Sequence, residues 1–247
     1  MDQTPKEIIS AHNPLFIHCK ELSINKKYRY THKQYIAEGV RAFDRTADIT
    51  SVLVRKGTAL PVSLKKQPYS MVAEKLFERL ADTEQSQGII ACCKMNLQAV
   101  NTLEQDKRYV LIDHLQDPGN IGTIIRTADA FGYEGIIVTD GCADPYNPKA
   151  VRSSMGSISS LPVIPLTSTH ELKGYTLMAA DKSGIPFTKV AWPTGYILVI
   201  GSEAHGVSNE LLTRASHTIS IPIAPGVDSL NAAIAAGILM AQSVAKK

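Results

Sequence analysis

Arg126, Glu203, Ser229 and the two asparagines Asn120 and Asn231 fall in three short segments of the C-terminal half. These are Asp117-Pro-Gly-Asn-Ile-Gly-Thr-Ile-Ile-Arg126, Gly201-Ser-Glu-Ala-His-Gly206 and Ile221-Pro-Ile-Ala-Pro-Gly-Val-Asp-Ser-Leu-Asn231. Each sets a Gly- or Pro-rich loop between an apolar strand-like run and a helix-like run. In open α/β sheets, ligands bind beyond the C-terminal ends of the strands. The glycines of the second segment would let backbone groups approach a ligand closely. Glu203 is a carboxylate at a strand end, free to pair with a cation. His205 offers an acid or base, although a lone loop histidine is more often structural. For Asp117-Pro-Gly-Asn120 alone, a capped turn is the simpler reading. Asn231 is harder to dismiss, because an asparagine inside a helix is a poor helix former.

The elements around these residues alternate. Tyr109-Val-Leu-Ile-Asp113 reads as a strand. A helix follows with Ile121, Ile124, Ile125, Ala128 and Phe131 on one face, Asn120 as its N-cap and Gly132 beyond its end. Gly135–Thr139 closes a βαβ unit. Leu161–Leu166, Thr176–Ala180, Ile197–Ile200 and Thr218–Ile221 are further strands, apolar enough to be buried on both faces of a mostly parallel sheet. The last helix, starting near Ser229 or Leu230 and running to Val244, is Ala-rich and apolar on most sides, as a helix deep in a core or against another subunit would be.

Residues 1–100 read as a smaller mixed α/β unit, with a helix over Thr31–Asp44, a strand at Ser51–Arg55, a helix at Met71–Leu80 and a strand at Gly88–Cys93. The polar stretch Lys94–Lys107 reads as a linker to a second domain at 106–247. Residues 1–100 hold 15 Lys/Arg against 10 Asp/Glu, a net of +5; residues 101–247 hold 11 against 13, a net of −2. A basic half beside a nearly neutral one suits a polyanion-binding part joined to a part with another task. Cys19, Cys92, Cys93 and Cys142 lack metal-ligand spacing and suit a reducing cytosol. The polar start of the chain has no signal-peptide core, and no apolar run spans a bilayer. Walker and GxGxxG fingerprints are missing, which argues against a nucleotide-dependent enzyme.

The ordered triplet resembles the three signature motifs of the SpoU-type (TrmH-like) RNA ribose 2′-O-methyltransferases of the SPOUT superfamily, over roughly residues 107–245. Lys26-Lys-Tyr-Arg29, Tyr35-Ile-Ala-Glu-Gly39 and Gln87-Gly-Ile-Ile-Ala91 look like parts of the substrate-binding domain that many members carry N-terminally.

The resemblance implies a C-terminal α/β trefoil-knot domain with helices on both faces of its sheet. It implies S-adenosylmethionine as cofactor, held by main-chain groups of Gly201, Ile221 and Leu230, with no metal. The implied catalytic set is Asn120, Arg126, Glu203, Ser229 and Asn231. In it Arg126, which cannot readily act as a base, holds an RNA phosphate and favours a developing 2′-oxyanion. Glu203 orients Arg126 through a bidentate pair. Lys26, Lys27, Arg29 and Lys33, interleaved with Tyr28, Tyr30 and His32, are the expected RNA contacts. A cytoplasmic homodimer acting on ribosomal or transfer RNA is implied, with no membrane attachment. The alternative, a non-catalytic RNA-binding or assembly factor on the same fold, would be favoured by loss of Asn120, Arg126 or Asn231, and all three are present.

Overall fold

The computed structural model describes residues 6–43, 47–64 and 67–245. Two compact units emerge. One holds the residues through Met95 together with Asp144–Ser160; the other holds Asn96–Ala143 and the residues from Leu161 onward.

The first unit is built on β1 (Lys6–Ile8), β2 (Gln34–Glu38), β3 (Ile49–Arg55), β4 (Tyr69–Val72) and β5 (Ile89–Lys94), in the order β1-β4-β3-β5-β2. The β1, β4 and β3 strands run parallel, and β5 is antiparallel to β3 and β2. Helices α1 (Pro14–Ile24), α2 (Lys26–His32) and α3 (Glu74–Phe77) precede or join them. Phe16, Cys19 and Leu22 of α1 pack with Ile36, Leu53, Phe77, Ile90 and Cys92 in one apolar cluster. The segment Asp144–Ser160 contributes α5 (Pro148–Ser154) and α6 (Ser157–Ser160) to this unit, with Ala150 and Val151 buried.

Two expectations for this unit are corrected. The helix read over Thr31–Asp44 is a strand, β2, between α2 and a single 3-10 turn at Val40–Ala42, and Asp44 lies outside the described residues. Tyr35, Ile36 and Ala37 are all buried, so both faces of β2 are apolar and helical periodicity is a poor guide. The stretch Met71–Leu80 is the end of β4 followed by the one-turn α3.

In the second unit β6 (Arg108–Ile112), β7 (Ile136–Thr139), β8 (Val163–Leu166), β9 (Leu177–Pro186), β10 (Tyr196–Ile200) and β11 (His217–Ser220) form one sheet, in the order β11-β9-β10-β6-β7-β8. Every pairing in it is parallel. Its helices are α4 (Pro118–Ala130), α7 (Asn209–Arg214) and α8 (Ala232–Ala245). The chain moves outward from β6 through β7 to β8, then crosses to the far side of β6. The reversal places the C-terminal ends of β6 and β10 side by side, with Asp113 N–H donating to Ile200 O at 2.8 Å. That is the switch point at which open α/β sheets bind ligands.

Ile121, Ile124, Ile125 and Ala128 of α4 are fully buried. Burial of each large aliphatic chain contributes about 1.5–3 kcal/mol, against about 1 kcal/mol for a cap, so the buried face fixes the helix and the cap trims its end. The Arg108 guanidinium donates to Phe131 O and Gly132 O at its C-terminus, 3.1 Å each. Tyr133 Oη bonds Tyr196 Oη at 2.7 Å and Ser243 Oγ at 3.1 Å, tying the end of α4 to β10 and α8. The stretch read as a linker is partly core: Val100 and Leu103 are buried in the same cluster as Tyr109 and Ile197.

Candidate active site

A cavity of about 390 Å³ opens beyond the C-terminal ends of β10 and β11, beside the middle of β9. Its walls come from three stretches: Ala180–Lys182, Ile200–Gly206 and the chain from Ile219 to Ala235. All three expected backbone cradle residues, Gly201, Ile221 and Leu230, line it, and so do Glu203 and Ser229.

The loop after β10 closes on itself. Ser202 N–H donates to Gly206 O at 3.1 Å and Gly206 N–H returns to Ser202 O at 2.9 Å. A Cβ on Gly201 would sit 2.0 Å from Gly206 C, so only glycine permits this passage. His205 lies in this loop and lines the cavity.

Sequence reading missed the part played by β9. Its pairing with β11 jumps from Thr218↔Ala179 to Ile219↔Ile185, so the residues between arch out of the ladder. The arch carries Asp181 and Lys182 to the cavity wall. Gly184 brings the chain back where a Cβ would lie 2.5 Å from Thr218 C. Asp181 Oδ1 accepts from the Ser183 hydroxyl at 2.6 Å and its N–H at 2.8 Å, bonds that hold the carboxyl below its ordinary pKa. The Asp-Lys-Ser-Gly turn after an apolar strand was the available signal.

Asn120 in the first turn of α4, Glu203 in the loop after β10 and Asn231 just before α8 come together. Asn120 donates its Nδ2–H to Glu203 Oε1 at 2.5 Å, and its Oδ1 accepts from Asn231 Nδ2 at 3.1 Å. Two local readings change here. Asp117, followed by Pro118, is the N-cap of α4 and accepts from Gly119 N–H, which leaves the Asn120 side chain for the site. Asn231 lies just before α8 and caps it, with Oδ1 accepting from Ala233 N–H at 3.0 Å and Ile234 N–H at 3.2 Å. That helix starts at Ala232, later than the expected Ser229 or Leu230.

Arg126 is not part of this cluster. It is exposed and makes no hydrogen bond or ion pair with a described residue, so the expected Glu203–Arg126 pair is absent. Six residues on a helix turn the side chain about 120° away and raise it about 9 Å, which separates Arg126 from Asn120.

The cavity suits a small molecule with an apolar plane and a cationic end. Ile219, Ile221, Ile223, Leu230 and Ala235 supply apolar wall, while Asp181, Glu203 and Asp228 supply carboxylates. Its volume lies in the range of about 300–1,000 Å³ usual for such sites. Adenine and a sulfonium with its ammonium match that chemistry, so the residues fit S-adenosylmethionine. Among the described residues no three His, Cys, Asp or Glu cluster as a metal site, and no helix is long and apolar enough to cross a membrane.

Of the expected RNA contacts in the first unit, Lys26, Lys27 and Lys33 are exposed. Arg29 is corrected. It is 2% exposed, and Nε and Nη2 donate to Asp144 Oδ2 at 2.8 and 2.6 Å while Nη1 donates to Leu22 O. Its guanidinium is spent inside the protein, because Asp144 arrives from the later segment of the chain and needs a counter-charge.

A parallel α/β domain with a small-molecule cavity at its strand ends, lined by apolar and carboxylate groups, is the arrangement of a cofactor-binding enzyme. The SpoU rRNA Methylase family model matches residues 107–241, and the chain belongs to that family. It is 33% identical to the Bacillus subtilis 23S rRNA (guanosine(2553)-2′-O)-methyltransferase RlmP, over 95% of this chain and 98% of that one. A 23S rRNA (uridine(2479)-2′-O)-methyltransferase of Streptomyces viridochromogenes is 34% identical over 75% of this chain and 69% of its own. The structure of the SpoU methyltransferase AviRb from S. viridochromogenes with AdoMet aligns with TM-score 0.84 and 30% identity, over 95% and 98% of the two chains. An AdoMet-bound rRNA methyltransferase from Sinorhizobium meliloti aligns at 0.83 and 27%, over 96% and 97%.

Proposed function

We propose that the protein methylates a ribose 2′-hydroxyl of ribosomal RNA, with the site assembled from Asn120, Arg126, Glu203, Ser229 and Asn231. The chain is an S-adenosylmethionine-dependent RNA 2′-O-methyltransferase. The observation that carries the residue assignment is the Asn231–Asn120–Glu203 relay at the rim of a cavity lined by Gly201, Ile221 and Leu230.

S-adenosylmethionine supplies a methyl group on a positively charged sulfur. Backbone groups of Gly201, Ile221 and Leu230 hold it, and the isoleucines enclose its apolar plane. Glu203, fixed by Asn120, presents a carboxylate at the cavity rim. Ser229 and the two asparagines orient the ribose by hydrogen bonds, and such positioning can lower the barrier by roughly 7–11 kcal/mol. Arg126 holds the adjacent phosphate and stabilises the 2′-oxygen as its proton passes to solvent water.

In this reading the working form is a cytoplasmic homodimer with a trefoil-knotted C-terminal domain. The exposed Arg126 serves the neighbouring subunit's cofactor, and its lack of a hydrogen-bond or ion-pair partner among the described residues supports that role. Residues 1–100 form the RNA-binding part, with Lys26, Lys27 and Lys33 as phosphate contacts. Incubation with methyl-labelled S-adenosylmethionine and, separately, ribosomal and transfer RNA from cells lacking the protein tests the proposal. Label should enter ribosomal RNA; cofactor binding without transfer to either RNA would contradict it.

A further inference from the structure

The turn that leaves β6 holds a histidine that the reaction described above does not use. His114 has φ 53°, one of three non-glycine residues with positive φ among those described. Non-glycine residues take this conformation uncommonly, and a cluster of contacts enforces it here. Its N–H donates to Thr139 Oγ1 at 3.1 Å, and Ala143 N–H donates to Leu115 O at 2.9 Å. The Gln116 amide also donates to Gly141 O, so residues 114–116 are stapled to the turn after β7.

The ring is fixed as well. Asp113 has a side chain 1% exposed, and its Oδ1 accepts from His114 Nδ1 at 2.6 Å. The same carboxylate accepts from Thr139 Oγ1 at 3.2 Å and Ser208 N–H at 2.7 Å, which locks it in place. Gly141 leaves room for the imidazole, since a Cβ there would lie 3.0 Å from His114 Cδ2. The outcome is a side chain that is 58% exposed yet held by a buried carboxylate, a stapled backbone and a glycine. A surface histidine needs none of these for solubility. A site that must present one atom in one place needs all of them.

With Nδ1–H committed to Asp113, the neutral ring carries its lone pair on Nε2, for which no described residue is a partner. The loop that begins at His114 ends in the first turn of α4, where Asn120 enters the relay. We propose that His114 is a further substrate-contacting residue, whose Nε2 accepts a hydrogen bond from an O–H or N–H of the bound RNA and so positions the strand for transfer. The proposal rests on the RNA methyltransferase reading. It adds a contact on the β7 side of the switch point, apart from the cofactor cavity, to which His114 does not contribute.

The test uses the full chain and ribosomal RNA from cells lacking the protein. Three variants are compared: His114→Asn, which tolerates the backbone but cannot reach the Nε2 position; His114→Gly, which fits the backbone without a ring; and His114→Gln, whose amide oxygen approximates Nε2. His114→Asn and His114→Gly should raise KM for RNA about tenfold, the worth of one hydrogen bond. Affinity for S-adenosylmethionine and the melting temperature should stay as in the unaltered protein, and His114→Gln should recover part of the loss. Unchanged KM in folded His114→Asn overturns the proposal. Parallel loss of KM, cofactor affinity and melting temperature, with no rescue by Gln, also overturns it and leaves His114 a structural staple. RNA with single 2′-deoxy nucleotides around the methylated position separates the donors. Loss of the variant's effect at one position assigns a ribose hydroxyl, persistence at all of them assigns a base amine, and both support the contact. If the unaltered protein transfers no methyl group, the functional reading fails first and this inference falls with it.

Discussion

Asn120, in the first turn of α4, and Glu203, in the loop after β10, lie 83 residues apart and meet in a 2.5 Å hydrogen bond from the asparagine amide to the carboxylate. The bond decides which way Glu203 faces at the cavity rim. Asn120→Ala should lower kcat about 10²- to 10³-fold, the scale seen when one positioned polar group is removed. Asn120→Asp should be worse, because it sets two carboxylates against each other. Glu203 is exposed and Asn120 half-buried, so thermal unfolding should move little. A large fall in melting temperature would mean that the pair holds the fold rather than the substrate.

Arg126→Ala should abolish transfer while leaving cofactor affinity within a few-fold, since the exposed side chain makes no hydrogen bond or ion pair with a described residue. Isothermal titration with S-adenosylmethionine and a transfer assay separate the two effects. Mixing Arg126→Ala with an Asn120→Ala variant should restore part of the activity if each site draws its arginine from the other subunit. Absence of restoration in verified heterodimers would place Arg126 at its own site.

Gly201→Ala forces a methyl group into the backbone of Gly206 and Val207, the nearest atoms being 2.0–2.2 Å from the added carbon. The loop must move, at a cost of about 1–3 kcal/mol or more. Cofactor binding should be lost before the protein unfolds, which titration at 25 °C alongside a thermal melt would show. Retained affinity would remove Gly201 from the cradle.

Arg29 and the exposed lysines near it should behave differently. Arg29→Ala strands Asp144 in the interior and should destabilise by about 3–5 kcal/mol, as breaking buried pairs does. Replacing Lys26 and Lys27 with Ala and Lys33 with Asn should leave stability alone. It should weaken RNA binding and flatten the dependence of log affinity on log salt by about 0.7–0.9 per lost phosphate contact. Filter binding across a salt series measures this, and an unchanged slope would take these lysines off the RNA.

Much of the second unit was legible because its strands are long apolar runs and its loops carry glycine and proline. The face of α4 through Ile121, Ile124, Ile125 and Ala128 is the buried one. What sequence could not carry was set by tertiary neighbours. Arg29 reads as one more cation in a basic run until Asp144 appears, 115 residues later, to bury it. Strand β2 reads as a helix because both its faces are apolar, and period 2 vanishes when a strand is covered on both sides. The arch in β9 that carries Asp181 depends on a register jump against β11, of which the Asp181-Lys-Ser-Gly turn is the one local sign. Asn231 drew notice as a helix residue out of place; in the structure it is a cap with its amide left over for Asn120.

The central claim is that these loops deliver a methyl group to a ribose oxygen of ribosomal RNA. Ribosomal RNA from cells lacking the protein, labelled with methyl-tritiated S-adenosylmethionine and the purified protein, can be hydrolysed in alkali. A methylated 2′-oxygen blocks cleavage at its own phosphodiester, so the label should emerge in an alkali-resistant dinucleotide from one position in the RNA. Label released in mononucleotides would put the methyl group on a base and contradict the account.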